Sequence, residues 1–319
     1  MPSAIRLPLG ATGLSVFPLC LGGNVFGWTA DATQSFAVLD RYVQAGGNFV
    51  DTADGYSAWA PGNMGGESET ILGDWMAARR CRDRIVVATK VGKLAAFRGL
   101  KAATIAAATD ASLKRLKSDR IDLYYAHADD PETPLAETVG AFDRLVKSGK
   151  VRAVAVSNYG AARLQEALAL AQQAGLASVA VVQDHYHLLN RGVYEGELER
   201  LCSAERLAFL PYYSLAQGFL TGKYRAATAA AAAGASPRSA GAMKYLDARG
   251  LCLLALLDEI AAAHATTVAA VALAWLRARP NVVAPIASAR TVAQLDELLP
   301  MARLELTPAE VARLTDAGR

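Results

Sequence analysis

Asn48-Phe49-Val50-Asp51, Ile85-Val86-Val87-Ala88-Thr89-Lys90 and Ile121-Asp122-Leu123-Tyr124-Tyr125-Ala126-His127 are three short hydrophobic runs, each closed by a polar side chain. Rich in Val, Ile, Phe and Tyr and lacking helical spacing, they read as buried strands. If they are successive parallel strands of one closed barrel, Asp51, Lys90 and His127 meet at one rim. Tyr56 joins them from the loop that follows the first run.

Outward from these runs the same alternation continues. Short apolar segments recur at about 19–22, 48–51, 84–90, 121–127, 151–157, 180–186, 208–213 and 282–287, eight in all. Helical spacing of apolar residues falls between them, over Thr33 to Ala45, Glu69 to Ala78, Thr104 to Leu116 and Leu135 to Lys147. It recurs over Ala161 to Gln173, Glu197 to Ala204 and Leu251 to His264. Gly46-Gly47, Gly149 and Gly175 stand where helices should end. Eight strand–helix units predict an α/β fold, a (β/α)8 TIM barrel spanning residues 1–319 as a single domain. The rival, an open doubly wound sheet, would most naturally carry GxGxxG after its first strand; Leu21-Gly22-Gly23-Asn24-Val25-Phe26-Gly27 does not match. An N-terminal β-hairpin is predicted from Ile5-Arg6-Leu7 and Val16-Phe17-Pro18 around Gly10-Ala11-Thr12-Gly13. Two long loops, 52–66 and 217–247, follow strand C-termini, the face on which barrel enzymes build their sites. The second includes the Ala run 226–233, which reads equally as a helical turn or a low-complexity tract.

Composition narrows the function. The 319 residues are 53% hydrophobic and 20% charged, with a net charge of +3 that is too small and too evenly spread to argue for nucleic acid or a membrane surface. Cys20, Cys81, Cys202 and Cys252 are far apart and form no CxxC pair, as expected of reduced thiols in a cytoplasm. The opening residues carry no signal pattern. The longest apolar run, Thr267 to Leu276, falls short of the roughly 20 residues that span a bilayer. No metal site is predicted, because His185 and His187 lack a third ligand and read as structural.

An acid, two bases and a phenol at one rim suit carbonyl reduction. Hydride must come from a cofactor, and the developing alkoxide needs a proton. Tyr56 can give it, with Lys90 expected to acidify the phenol, Asp51 to fix and charge Lys90, and His127 to hold the substrate oxygen. Taken singly, each residue has an ordinary structural reading: a solvated lysine, an exposed tyrosine, a helix-capping aspartate, a packed histidine. Four on consecutive strand ends outweigh those readings. Val25, Trp28, Trp59 and Tyr125 are candidate walls for an apolar carbonyl substrate.

The chain resembles the aldo-keto reductase superfamily, including the branch that holds potassium-channel β-subunits. Three stretches carry the resemblance: Gly47 to Tyr56 with its Asp51-Thr52-Ala53 core; Asp122 to His127 with Lys90 before it; and Val156-Ser157-Asn158-Tyr159 with Pro211 to Lys223. It runs from about Ile5 to about Thr315. It implies that Tyr56 is the general acid, completed by Asp51, Lys90 and His127, and that NADP(H) is favoured over NAD(H). Ser157, Asn158 and Gln183 would hold the nicotinamide carboxamide, and Tyr212 would stack on the ring. Gly23, Asn24, Ser214, Leu215, Gln217 and Gly218 would follow the cofactor backbone. Ile286, Ser288, Arg290 and Gln294 would hold the adenosine end, with Arg290 on a 2′-phosphate. The chain departs from the family in its lengthened Ser57–Gly66 loop and in Leu298 after Glu297, where the family often has asparagine. The expected partner is a small-molecule carbonyl, and the expected state is a monomer or loose homo-oligomer. Two other readings are carried: a Schiff-base aldolase built on Lys90, and a cofactor-binding regulatory subunit.

Overall fold

The computed structural model describes residues 5–225 and 237–319. The Ala run and Gly234-Ala235-Ser236 therefore lie outside the described residues. Eight parallel strands form one sheet: β3 (Cys20–Gly22), β4 (Phe49–Asp51), β5 (Val86–Val91), β6 (Ile121–Ala126), β7 (Val151–Ser157), β8 (Val179–His185), β9 (Ala208–Tyr212) and β10 (Ile286–Ala287). Their order is β10-β3-β4-β5-β6-β7-β8-β9. The ring closes where Phe209 of β9 donates its N–H to Asn281 O at 2.8 Å and accepts from Val283 N at 3.2 Å. This is the expected (β/α)8 barrel. The hairpin β1 (Leu7–Pro8) and β2 (Ser15–Val16) is also present. Its Leu9, Leu14 and Val16 pack with Cys20, Phe49, Val86 and Val181 to plug the end of the barrel opposite the site.

Helices α1 (Ala32–Gln44), α2 (Glu67–Arg79), α3 (Ala102–Leu116), α4 (Leu135–Lys147), α5 (Ala161–Ala174) and α6 (Glu197–Ala204) match the predicted spans within a few residues. Beyond them come α7 (Ser239–Met243), α8 (Ala248–Ala263), α9 (Val268–Arg277), α10 (Val292–Leu298) and α11 (Pro308–Ala317). The apolar run measured against a bilayer is therefore α9, buried on almost every face. Among the described residues no single helix is long and apolar enough to cross a membrane; α8 and α9 pass only as a pair bent by 94°.

Strand parity decides what reaches the site. Side chains alternate across a strand, so Phe49 and Asp51 point into the barrel while Val50 packs outward. Val86 and Ala88 point inward on β5, and Lys90 follows in the same phase. On β6, Leu123 and Tyr125 point inward and His127 comes next. Lys90 pairs in register with Tyr125, so Tyr125 lies one layer beneath His127. Outward-facing Thr89 instead donates to Glu69 Oε1 of α2 at 2.6 Å, and Arg115 of α3 donates to Glu69 Oε2 at 2.7 Å.

Beside this pair lies Asp54, fully buried in the turn between Asp51 and Tyr56. Neither of its oxygens makes a hydrogen bond of ordinary geometry, and the Gly55 N–H helps only weakly. Burial first, and then the nearby Glu69, raise its pKa from 3.8 to about 7. A raised folded-state pKa means the folded chain holds the proton more tightly than the unfolded one. The resulting stability is complete below about pH 4 and is lost as pH rises through about 7, a loss of about 4 kcal/mol at most. Asp54→Asn is therefore expected to melt higher than the parent at pH 8, with the difference closing towards pH 4. Calorimetric melting across that range checks it, and a constant difference would reject the assignment.

Candidate active site

Asp51, Lys90 and Tyr56 form one hydrogen-bonded unit at the C-terminal rim. The Lys90 side chain is inaccessible to solvent and uses all three ammonium donors. Nζ donates to Asp51 Oδ2 at 2.6 Å, to Thr52 O at 2.8 Å and to Tyr56 Oη at 2.9 Å. Tyr56 Oη donates in turn to Asp51 Oδ2 at 3.2 Å, and Asp51 Oδ1 accepts from Gln183 Nε2 at 2.9 Å. The His127 ring stands edge-on to Tyr56, with centroids 6.0 Å apart. Its Nδ1 is buried with no hydrogen-bond partner among the described residues.

In the resting site the phenol keeps its proton. Burial raises the Tyr56 pKa well above its usual value, and the Asp51 charge and hydrogen bond raise it further. Burial also lowers the Lys90 pKa, while Asp51 opposes it. His127 is pushed well below its usual value, by burial and then by Lys90 and Lys93, and is neutral. The resting site thus holds a protonated phenol beside a neutral imidazole. It can give a proton only when negative charge appears next to the phenol.

A cavity of about 1110 Å³ opens over this unit. Asn24, Val25, Trp28, Trp59, Tyr56 and His127 line one part of it. Ser157, Asn158, Gln183 and Tyr212 line its floor. Asn158 holds φ = 58°; its Nδ2 donates to His127 O and Ser157 Oγ, both at 2.9 Å, and its Oδ1 accepts from Tyr212 Oη at 2.8 Å. The Tyr212 ring is backed by His185, stacked at 5.5 Å. His187, also read as structural, donates or accepts with Tyr245 Oη at 3.2 Å through Nε2.

The far arm of the cavity is lined by Ser214, Leu215, Gln217 and Gly218, then by Ile286, Ser288, Arg290 and Gln294. Tyr213, Ala216, Gln217 and Gly218 all have positive φ, an unusual concentration of left-handed residues that bends the backbone sharply here, with the Ala216 N–H donating to Tyr213 O and the Gly218 N–H to Leu215 O. Ser288 Oγ donates to Asn24 Oδ1 at 2.6 Å, and Gln294 Oε1 accepts from Arg290 N at 3.0 Å, which fixes the backbone beneath the guanidinium. An elongated hollow, an amide-rich floor and a cationic end fit a nicotinamide dinucleotide.

Two expected lining residues are elsewhere. Tyr125 lies in the barrel core under the floor, with Lys90 Nζ 5.5 Å from its ring centroid, because strand parity places it a layer below the rim. Gly23 turns away, its N–H bonded to Asp51 O and its carbonyl to Ser68 Oγ, and Gly22 borders the cavity instead. Sequence reading missed Lys93, Lys223 and Arg238, which all line the cavity. Lys223 closes one of the quoted stretches, so its position was legible; Lys93 and Arg238 stand in loops without pattern.

A model described as "Aldo/keto reductase family" matches residues 18–319. An oxidoreductase of Bacillus subtilis, YrpG, is 34% identical over 97% of this chain and 94% of its own length. A norsolorinic acid reductase of Emericella nidulans is 32% identical over 95% of this chain and 79% of its own. An aryl-alcohol dehydrogenase of Pestalotiopsis microspora is 30% identical over 97% and 80%. With a barrel, a rim of this geometry and a match over nearly its whole length, the chain belongs to the aldo/keto reductase family and is an oxidoreductase of carbonyl groups.

Proposed function

We propose that this protein reduces an aldehyde or ketone with NADPH, Tyr56 giving the proton. The observation that carries the reading is the Lys90 ammonium held between Asp51 and the Tyr56 oxygen, 2.6 and 2.9 Å away. Bound in the far arm and floor of the cavity, the reduced nicotinamide supplies the hydride that no side chain can. Ser157, Asn158 and Gln183 orient the carboxamide, and Tyr212 lies flat against the ring. Lys223 and Arg238 would hold the pyrophosphate, and Leu215, Gln217 and Gly218 would run beneath it. Arg290 grips the 2′-phosphate as a planar fork.

The substrate carbonyl oxygen sits between Tyr56 and His127. As charge develops there, the Tyr56 proton turns from Asp51 to the oxygen. The phenolate left behind stays hydrogen-bonded to Lys90, whose charge is worth most in this dry site. His127, kept neutral, donates a hydrogen bond and does not compete as an acid. The aldolase reading is disfavoured, because Lys90 gives all three donors away and a paired ammonium is a poor nucleophile. The name of the aryl-alcohol dehydrogenase relative favours an aryl carbonyl. We also propose a single-domain cytoplasmic protein, monomeric or loosely associated.

Two measurements test this. Tyr56→Phe is expected to lower kcat by about 10²–10⁴-fold while NADPH still quenches protein fluorescence with little change in Kd. Retained turnover would reassign the proton donor. Arg290→Ala is expected to weaken NADPH binding about 10- to 100-fold, as loss of a charged hydrogen bond does, and to leave NADH binding nearly unchanged. Equal losses for both cofactors would remove Arg290 from the 2′-phosphate.

A further inference from the structure

Tyr212 is fixed from three directions. Its Oη donates to Asn158 Oδ1 at 2.8 Å, and Tyr213 meets its ring edge to face at 5.2 Å. The His185 imidazole lies nearly parallel to it, with centroids 5.5 Å apart and planes 14° from each other. His185 therefore takes one face of the phenol and leaves the other for the cavity that Tyr212 borders. A phenyl or aliphatic side chain would back the tyrosine equally well without bringing in two ring nitrogens that need partners.

What an imidazole adds is a fixed plane. His185 Nδ1 accepts from Asn190 Nδ2 at 2.7 Å, because an amide nitrogen only donates. The ring hydrogen is then on Nε2 and the imidazole is neutral, in keeping with the burial that lowers its pKa. A hydrogen bond in the plane of the ring also restricts χ2, a torsion that is otherwise broad for a flat side chain.

Asn190 is itself held in place. The turn after β8 closes with the His187 N–H donating to Asn190 O at 3.1 Å and the Asn190 N–H donating to His187 O at 2.9 Å. His187 is tied at both ring nitrogens: Nδ1 accepts from the Leu189 N–H at 3.2 Å, and Nε2 meets Tyr245 Oη at 3.2 Å. A line of contacts thus runs from a closed backbone turn, through one amide and one imidazole, to the ring at the cavity floor.

We propose that His185 is a positioning residue for the nicotinamide, acting through Tyr212: Asn190 sets the imidazole plane, and the imidazole sets the tyrosine face against which the nicotinamide ring lies. This rests on the reductase reading above and deepens it. Hydride transfer depends steeply on how the reacting carbons face each other, so a floor ring free to tilt costs rate even when the cofactor is bound.

The test separates the nicotinamide from the rest of the dinucleotide. Binding of NADPH and of 2′-phospho-ADP-ribose, which lacks the nicotinamide, is measured by calorimetry on the full chain and its variants. Single-turnover reduction of 4-nitrobenzaldehyde by the NADPH complex is followed alongside. His185→Ala is expected to weaken NADPH about 3- to 10-fold, the worth of one aromatic pair, and to leave 2′-phospho-ADP-ribose binding as in the parent. It is expected to slow the single turnover by about 10-fold or more. His185→Phe, which keeps a flat ring without the hydrogen bond, should restore NADPH affinity and only part of the rate. Asn190→Ala should lose rate as His185→Phe does. In a Tyr212→Ala background His185→Ala should add nothing, since the ring it acts through is gone. Equal weakening of NADPH and 2′-phospho-ADP-ribose, no change in either binding or rate, or an undiminished loss in the Tyr212→Ala background overturns the inference and leaves the reductase reading standing. A parent chain that binds neither compound overturns both.

Discussion

The solvent-free ammonium of Lys90 is the constraint around which the rim is built. A buried charge is tolerated only when its partners are complete, and loss of one partner costs about 3–5 kcal/mol. Here the partners are a carboxylate, a backbone carbonyl and a phenol, all from β4 or the turn after it. The Lys90 charge therefore locks β4, β5 and the Tyr56 loop into one geometry. The arrangement that satisfies the charge is also the one that places a phenol next to an ammonium. Stability and chemistry depend on the same three contacts.

That arrangement holds the proton back. Asp51 offsets Lys90 in the resting site, and burial keeps Tyr56 protonated. The balance shifts only when charge develops on a substrate oxygen. A second buried carboxyl lies close by in Asp54, next to the Glu69–Arg115 pair, so the turn carrying Tyr56 is bordered by ionisable groups on both sides. Lys93, Lys223, Arg238 and Arg290 all line the cavity, with Arg238 lying over the Trp28 ring at 5.5 Å.

Half of the ten non-glycine residues with positive φ among the described residues stand on the same face. Ser57, Asn158, Tyr213, Ala216 and Gln217 adopt positive φ without being glycine, and all lie in loops that follow barrel strands. Such conformations are held only where surrounding packing over-determines them. Asn158 shows the use of this strain, since its left-handed turn lets one amide bridge His127, Ser157 and Tyr212.

The eight-fold alternation, the hairpin and the meeting of Asp51, Tyr56, Lys90 and His127 were legible in the sequence, because period-2 strands and polar strand ends are local patterns. Helices α7, α9, α10 and α11 were not read: α9 is apolar along almost its whole length, α7 and α10 are only five and seven residues long, and the Thr307–Glu310 capping box that opens α11 was passed over. Tyr125 had the right chemistry for a cavity wall, yet it stands on β6 two residues before His127, in the packed layer under the floor. Lys93 and Arg238 stand in loops whose paths are set by packing alone. The sequence by itself determined which groups meet at the rim. Only the tertiary structure decided their protonation and which cations line the cavity, because burial and charge proximity arise between residues far apart in the chain.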